Sequence, residues 1–164
     1  MISTDVQAIH AQTIPDRARL RAELEATRSA FHALLGSISD DRWRQKSPSS
    51  AWTVGEVMAH LTWALELLPD EVASARRGKG MFNGPKALGD PLSYWLVRWI
   101  ARKATPESLA QRYNVAMDAV IRTLAEVKDS EWALGAPFYG EGFYTIAALF
   151  HTPAEHLGEH TAGF

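Results

Sequence analysis

Residues 52–68 read Trp52-Thr53-Val54-Gly55-Glu56-Val57-Met58-Ala59-His60-Leu61-Thr62-Trp63-Ala64-Leu65-Glu66-Leu67-Leu68. Thr53 and Glu56 stand three apart. That is the spacing at which a threonine hydroxyl and a glutamate carboxylate each satisfy a free backbone N–H at a helix start. Behind them Val57, Leu61, Ala64, Leu65 and Leu68 recur at helical steps, so one face of this segment is buried. Pro69 is expected to end or kink the helix, because a proline inside a helix removes one hydrogen bond. A well-started amphipathic helix with His60 on its apolar side sets the expectation of an all-α fold.

Working outward, the preceding stretch 36–51 is rich in Ser, Asp and Pro and reads as a loop. Before it, Thr13-Ile14-Pro15-Asp16 supplies a capping hydroxyl, an early proline and an acid. Leu20, Leu24, Thr27, Phe31, Leu34 and Ile38 then form a helical stripe, and residues 1–12 read as a loose arm. After Pro69, residues 76–89 are turn-rich, and 91–103 read as a short extra helix bearing Trp95 and Trp99. Thr105-Pro106-Glu107 opens a third long helix, whose stripe is Leu109, Tyr113, Ala116, Val120, Leu124 and Val127. Residues 128–144 read as a loop, Thr145 begins a last helix, and no segment alternates long enough to predict a strand.

The halves echo each other weakly. Ser39-Asp40-Asp41-Arg42-Trp43 follows the first helix and Asp129-Ser130-Glu131-Trp132 the third. Trp52-Thr53-Val54 opens the second helix and Tyr144-Thr145-Ile146 the fourth. The order is helix pair, long crossover, helix pair: a four-helix bundle with a long connection between helices 2 and 3, expected as a single domain over residues 1–164.

Bulk properties narrow the function classes. Apolar residues make up 46% of the 164 and charged residues 22%, enough for a core. A net charge of −2 leaves no basic surplus to attract phosphate backbones, so nucleic acid is not expected as a partner. Cysteine is absent, which removes disulfides, thiolate ligands and cysteine nucleophiles. The start, MISTDVQAIH, lacks the basic and apolar stretches of a secretory signal, and no apolar run is long enough to span a membrane. The cytoplasm is the expected compartment.

Chemistry concentrates in the histidines. Three of the six, His151, His156 and His160, fall within the last 14 residues. His156 and His160 are four apart on a predicted helix, so both rings lie on one face and can share an ion. His60 should point into the bundle from the second helix. Three converging imidazoles leave coordination positions open, as catalytic metal sites do. Taken alone, His60 reads as a hydrogen-bonded core residue, and the C-terminal pair as cations suited to a helix end. His10, His32 and His151 read as structural or surface residues. Glu159 is a candidate general base and equally a solvent-facing acid. Glu56 is a candidate to orient His60, and capping explains it equally well. Pro153 frees the carbonyl of Leu149 and is expected to kink the last helix. His156-Leu157-Gly158-Glu159-His160 matches the string of inverted zinc proteases, but no third ligand follows it. The di-iron bundles need a Glu three residues before each His, a pattern this chain lacks.

Trp52 to His60, the paired His156 and His160 within Glu155 to His160, and the Ser/Asp-rich stretch ending at Trp43 together resemble the DinB/YfiT-like metalloenzyme family. The resemblance covers nearly the whole chain. It implies a four-helix bundle, a three-histidine site for zinc, nickel or a similar ion, and a homodimer. Relatives of mycothiol-dependent maleylpyruvate isomerase within the family imply a low-molecular-weight thiol as cofactor or co-substrate.

Three functions follow as expectations. The first is a divalent-metal-dependent enzyme of thiol S-transferase or hydrolase type acting on a small molecule, with aromatic residues Phe138, Tyr139, Phe143 and Tyr144 as candidate pocket lining. The second is a non-catalytic, stress-related binding protein with a structural metal. The third is a dimeric interaction module using Tyr94, Trp95, Val97, Trp99 and Ile100, for which core cover is the ordinary alternative.

Overall fold

The computed structural model describes residues 14–80, 86–138 and 142–164, with the backbone alone for 86–93. The N-terminal arm, His10, Thr13 and Tyr139 therefore lie outside the described residues.

Asp16 caps the first helix, α1 (Arg17–Ser37), its carboxylate accepting from the N–H groups of Ala18 and Arg19. Leu20, Leu24, Thr27, Phe31 and Leu35 form the buried stripe of α1; Leu34 and Ile38 sit at its partly buried edge. The expected loop after α1 contains a one-turn helix, α2 (Asp40–Arg44), capped by Ser39. The capping box is present at the start of α3 (Val54–Arg76): Thr53 N–H donates to Glu56 Oε2 at 2.8 Å, and Glu56 N–H to Thr53 Oγ1 at 3.2 Å.

Pro69 does not end α3, which continues to Arg76. The buried stripe explains this. Leu68, Val72 and Ala75 carry it past the proline, so the burial of two more turns outweighs one lost hydrogen bond. α4 (Lys86–Ala101) begins earlier than expected and packs on α3 through Val97, while Trp95 and Trp99 face outward. Those two indoles are thus not core cover. α5 (Pro106–Glu126) buries the expected stripe after a second capping box, Thr105 with Ser108. A 3-10 turn (Asp129–Glu131) and a short antiparallel hairpin, β1 (Gly135–Phe138) with β2 (Gly142–Thr145), replace the expected loop. Four-residue strands were too short to show alternation.

The last helix is two. α6 (Ile146–Leu149), capped by Thr145, breaks at Phe150 and His151, and α7 (Thr152–Thr161) restarts with Pro153 in its first turn. Proline has no N–H to offer the carbonyl of Leu149; the Thr152 hydroxyl takes it instead at 2.8 Å.

Side-chain pairs fix how the long helices run. Arg17 reaches the carbonyl of Leu124, Arg28 pairs with Asp118 and His32 with Asn114, so α1 and α5 are antiparallel. Glu66 pairs with Arg112 and Arg76 with Glu131 just beyond α5, so α3 and α5 run the same way. Parallel neighbours need a long connection, which residues 77–105 with α4 provide. Leu149 lies beside Ala75, and His156 meets His60, so α6 and α7 run back along α3. α7 also packs on α1, closing the layers around one core of Phe31, Met58, Leu68, Met117, Ile146 and Phe150 among others. The fold is all-α with one small hairpin. Among the described residues no helix is long and apolar enough to cross a membrane.

Candidate metal centre

The second helix and the last bring three imidazoles together. His60 sits one turn past the capping box of α3, and the break before α7 aims His156 and His160 back at it. The Nε2 atoms of His60 and His156 are 3.0 Å apart. One ring nitrogen from each of His60, His156 and His160 falls within 4.8 Å of the others. Ring centroids are separated by 4.8, 5.0 and 4.6 Å, with the planes steeply crossed. Among the described residues no fourth histidine or carboxylate joins this group.

The surroundings favour neutral rings. Burial lowers the His60 pKa to about 3, with repulsion from His156 and His160 adding to it. Burial first, and His160 second, lowers His156 to about 4. Burial also lowers His160, against the opposing pull of the Glu159 carboxylate. Neutral imidazole is the form that ligates a metal.

A divalent cation fits this donor set. One proton can bridge only one pair of nitrogens, and here three converge. Ligand nitrogens around a tetrahedral zinc stand about 3.3 Å apart, a spacing these rings reach by small rotations. The outward nitrogen of His60, Nδ1, is buried and without a hydrogen-bond partner among the described residues. The Trp52 indole lies against the rings of His60, at 4.8 Å, and His160, at 6.1 Å. Trp63 closes another side at 6.4 Å from His60.

Trp52 is held by the loop before α3. Ser47 N–H donates to the carbonyl of Trp52, Lys46 bridges to Thr53, and the Ser49 hydroxyl donates to the carbonyl of His160 at 2.6 Å. One loop thus ties both ends of the cluster. Trp52 stands in the sequence signature without a role and Ser49 only within the Ser-rich stretch, since only the tertiary fold places them there.

The other candidates separate from the cluster. Glu159 is exposed. Glu56 does not orient His60, because its two oxygens are taken by Thr53 N–H and by Arg98 Nε at 3.2 Å. His151 pairs with Glu23 at 2.8 Å, and His32 with Asn114 at 2.8 Å. The aromatic hairpin is remote: Phe138 and Tyr144 pack near Ala75, fifteen residues along α3 from His60, roughly 20 Å at the helical rise. Phe143 is exposed. None of these described side chains lines the cluster.

The DinB superfamily model matches residues 23–162, a span that includes all three histidines. The chain belongs to the DinB superfamily. No curated protein and no solved structure matches it.

Proposed function

We propose that this DinB protein binds one divalent metal ion, zinc or nickel, through His60, His156 and His160, and uses it to activate a nucleophile. The convergence of three neutral imidazole nitrogens without a fourth protein donor among the described residues carries this reading. A structural site closes its coordination shell with protein; a catalytic one keeps a position for water or substrate. When bound, the cation would lower the pKa of a water or a small thiol held in that position. The chain's own part is to hold three lone pairs in place. Burial keeps His60 and His156 unprotonated, and Trp52 and Trp63 shield the rings from water on two sides. Either nucleophile is compatible with this donor set, so the reaction is of the thiol-transfer or hydrolytic class.

Metal content decides the first half. Protein purified without an affinity tag and loaded with zinc or nickel should hold close to one ion per chain, and His60→Ala should hold none. Cobalt substitution decides the second half. An open position makes the visible cobalt bands move on adding azide or a small thiol. Bands indifferent to both additives would mark a closed, structural site and refute the catalytic reading; no metal at any loading would refute both.

A further inference from the structure

Three segments meet beside the start of α3. Trp43 of α2 lies flat against the backbone at Gly55, where a Cβ would come within 2.5 Å of the indole. Glycine at that position is what admits the ring. From the other side α4 brings Trp95 and Trp99, one turn apart on the same face and 64% and 67% exposed. Between them runs an open groove of about 410 Å³, within the size range of small-molecule sites.

The groove has a marked charge balance. Its cations are Arg44, Arg98 and Arg102, and its one acid is Glu56. Glu56 is already engaged by Thr53 N–H and Arg98. Arg98 is itself held, its guanidinium 5.6 Å from the Tyr94 and Trp95 rings. Arg44 and Arg102 have no ion-pair or side-chain hydrogen-bond partner among the described residues. The groove therefore offers flat apolar walls and two uncommitted planar cations, the pairing that carboxylates favour.

We propose that this groove binds a small carboxylate with a flat apolar body, the acid group on Arg44 and Arg102 and the body against Trp95 and Trp99. A second copy of the chain is a poorer occupant, because a two-fold contact on this face gathers six arginines into one interface with only the two Glu56 carboxylates to offset them. His60 lies one helical turn beyond Glu56 on the same face of α3. That the bound acid is also the substrate of the metal centre rests on the reading above; the binding itself does not.

The test uses metal-free protein in chelator, titrated calorimetrically with naphthalene-2-carboxylate and with the neutral naphthalene-2-carboxamide. The carboxylate should bind at least about tenfold more tightly, the worth of one or two charge-assisted hydrogen bonds. An Arg44→Gln, Arg102→Gln double variant should reduce it to the level of the amide, and Trp99→Ala should weaken both probes. His60→Gln should leave the carboxylate affinity within about twofold, which keeps this result separate from the fate of the metal reading. Circular dichroism confirms that each variant is folded, and Arg102→Lys supplies a milder change that keeps the charge but loses the fork. Equal affinity for the two probes, or loss of binding in His60→Gln, would overturn the proposal. So would a dimer in sedimentation equilibrium that Trp99→Asp dissociates.

Discussion

Acid should destabilise this protein through the histidine cluster, and the size of the effect can be worked out. His60 and His156 take up protons near pH 3 and 4 when folded, against 6.5 for an ordinary histidine. Both folded values are depressed, so between them and 6.5 the unfolded chain holds protons that the folded chain does not. Stability is then complete above pH 6.5 and falls as the pH drops towards 3 to 4. At about pH 5 each histidine lies ~1.5 units below its unfolded pKa, worth about 2 kcal/mol at ~1.4 kcal/mol per unit. The two together set a ceiling of about 4 kcal/mol, a large share of the ~5–15 kcal/mol that holds a domain folded. Part of each shift is repulsion within the cluster, so a loss between about 2 and 4 kcal/mol is expected for the metal-free protein.

Urea unfolding in chelator at about pH 7.5 and about pH 5 measures this loss, with His60→Gln as the reference. Glutamine carries no proton and relieves the neighbouring rings, so the pH-dependent loss should shrink by about 2 kcal/mol or more in the variant. Carboxylates titrating in the same range affect both proteins alike and cancel in the difference. A native protein equally stable at both pH values, or a loss that His60→Gln leaves unchanged, would refute the claim that these rings are buried and neutral.

Three further outcomes test the packing that positions the site. Phe31 is fully buried and stacked on Tyr113 with centroids 3.6 Å apart, so Phe31→Ala should cost about 3–5 kcal/mol in urea unfolding. Gly55→Ala should destabilise by about 1–3 kcal/mol despite the better helix propensity of alanine, because its Cβ displaces the Trp43 ring; a shift in tryptophan emission should accompany it. Pro69→Ala should restore a backbone donor inside α3 and raise stability by about 1–3 kcal/mol, and an unchanged urea midpoint would show that the helix has already absorbed the proline.

What the sequence made legible is what local spacing encodes. The Thr53–Glu56 capping box, the helix start at Thr105, most of the stripes of α1 and α5 and the disturbance of the last helix at Pro153 each depend on residues within a few positions of one another, and each is present, whereas the Thr105–Ser108 box and the complete break before α7 went unread. His156 and His160 belong to this class, because four residues on a helix place two rings together wherever that helix goes. His60 needed one step more, the inference that its face of α3 is buried. The short α2, the hairpin and the run of α3 past Pro69 were not legible. One turn of helix and four-residue strands carry too few residues to show a period, and Pro69 is overruled by burial two turns further on.

The groove lies at the other extreme. In the sequence Arg44 lies in a stretch that reads as a loop, Arg98 carries no assigned role, and Trp95 and Trp99 read as an interaction face or as core cover. Nothing local joins them; only the packing of α4 and α2 on one end of α3 does so. Gly55 is the hinge between the two kinds of information. In the sequence it is a helix-weakening residue in the first turn of a well-capped helix, a local defect with no local reason. In the fold it is where Trp43 lies on the helix, immediately before the Glu56–His60 turn that runs from groove to cluster. A residue that weakens its own element is best explained by what must approach it. By that logic the approach of Trp43, and with it the wall of the groove, is the purpose that glycine serves in this signature.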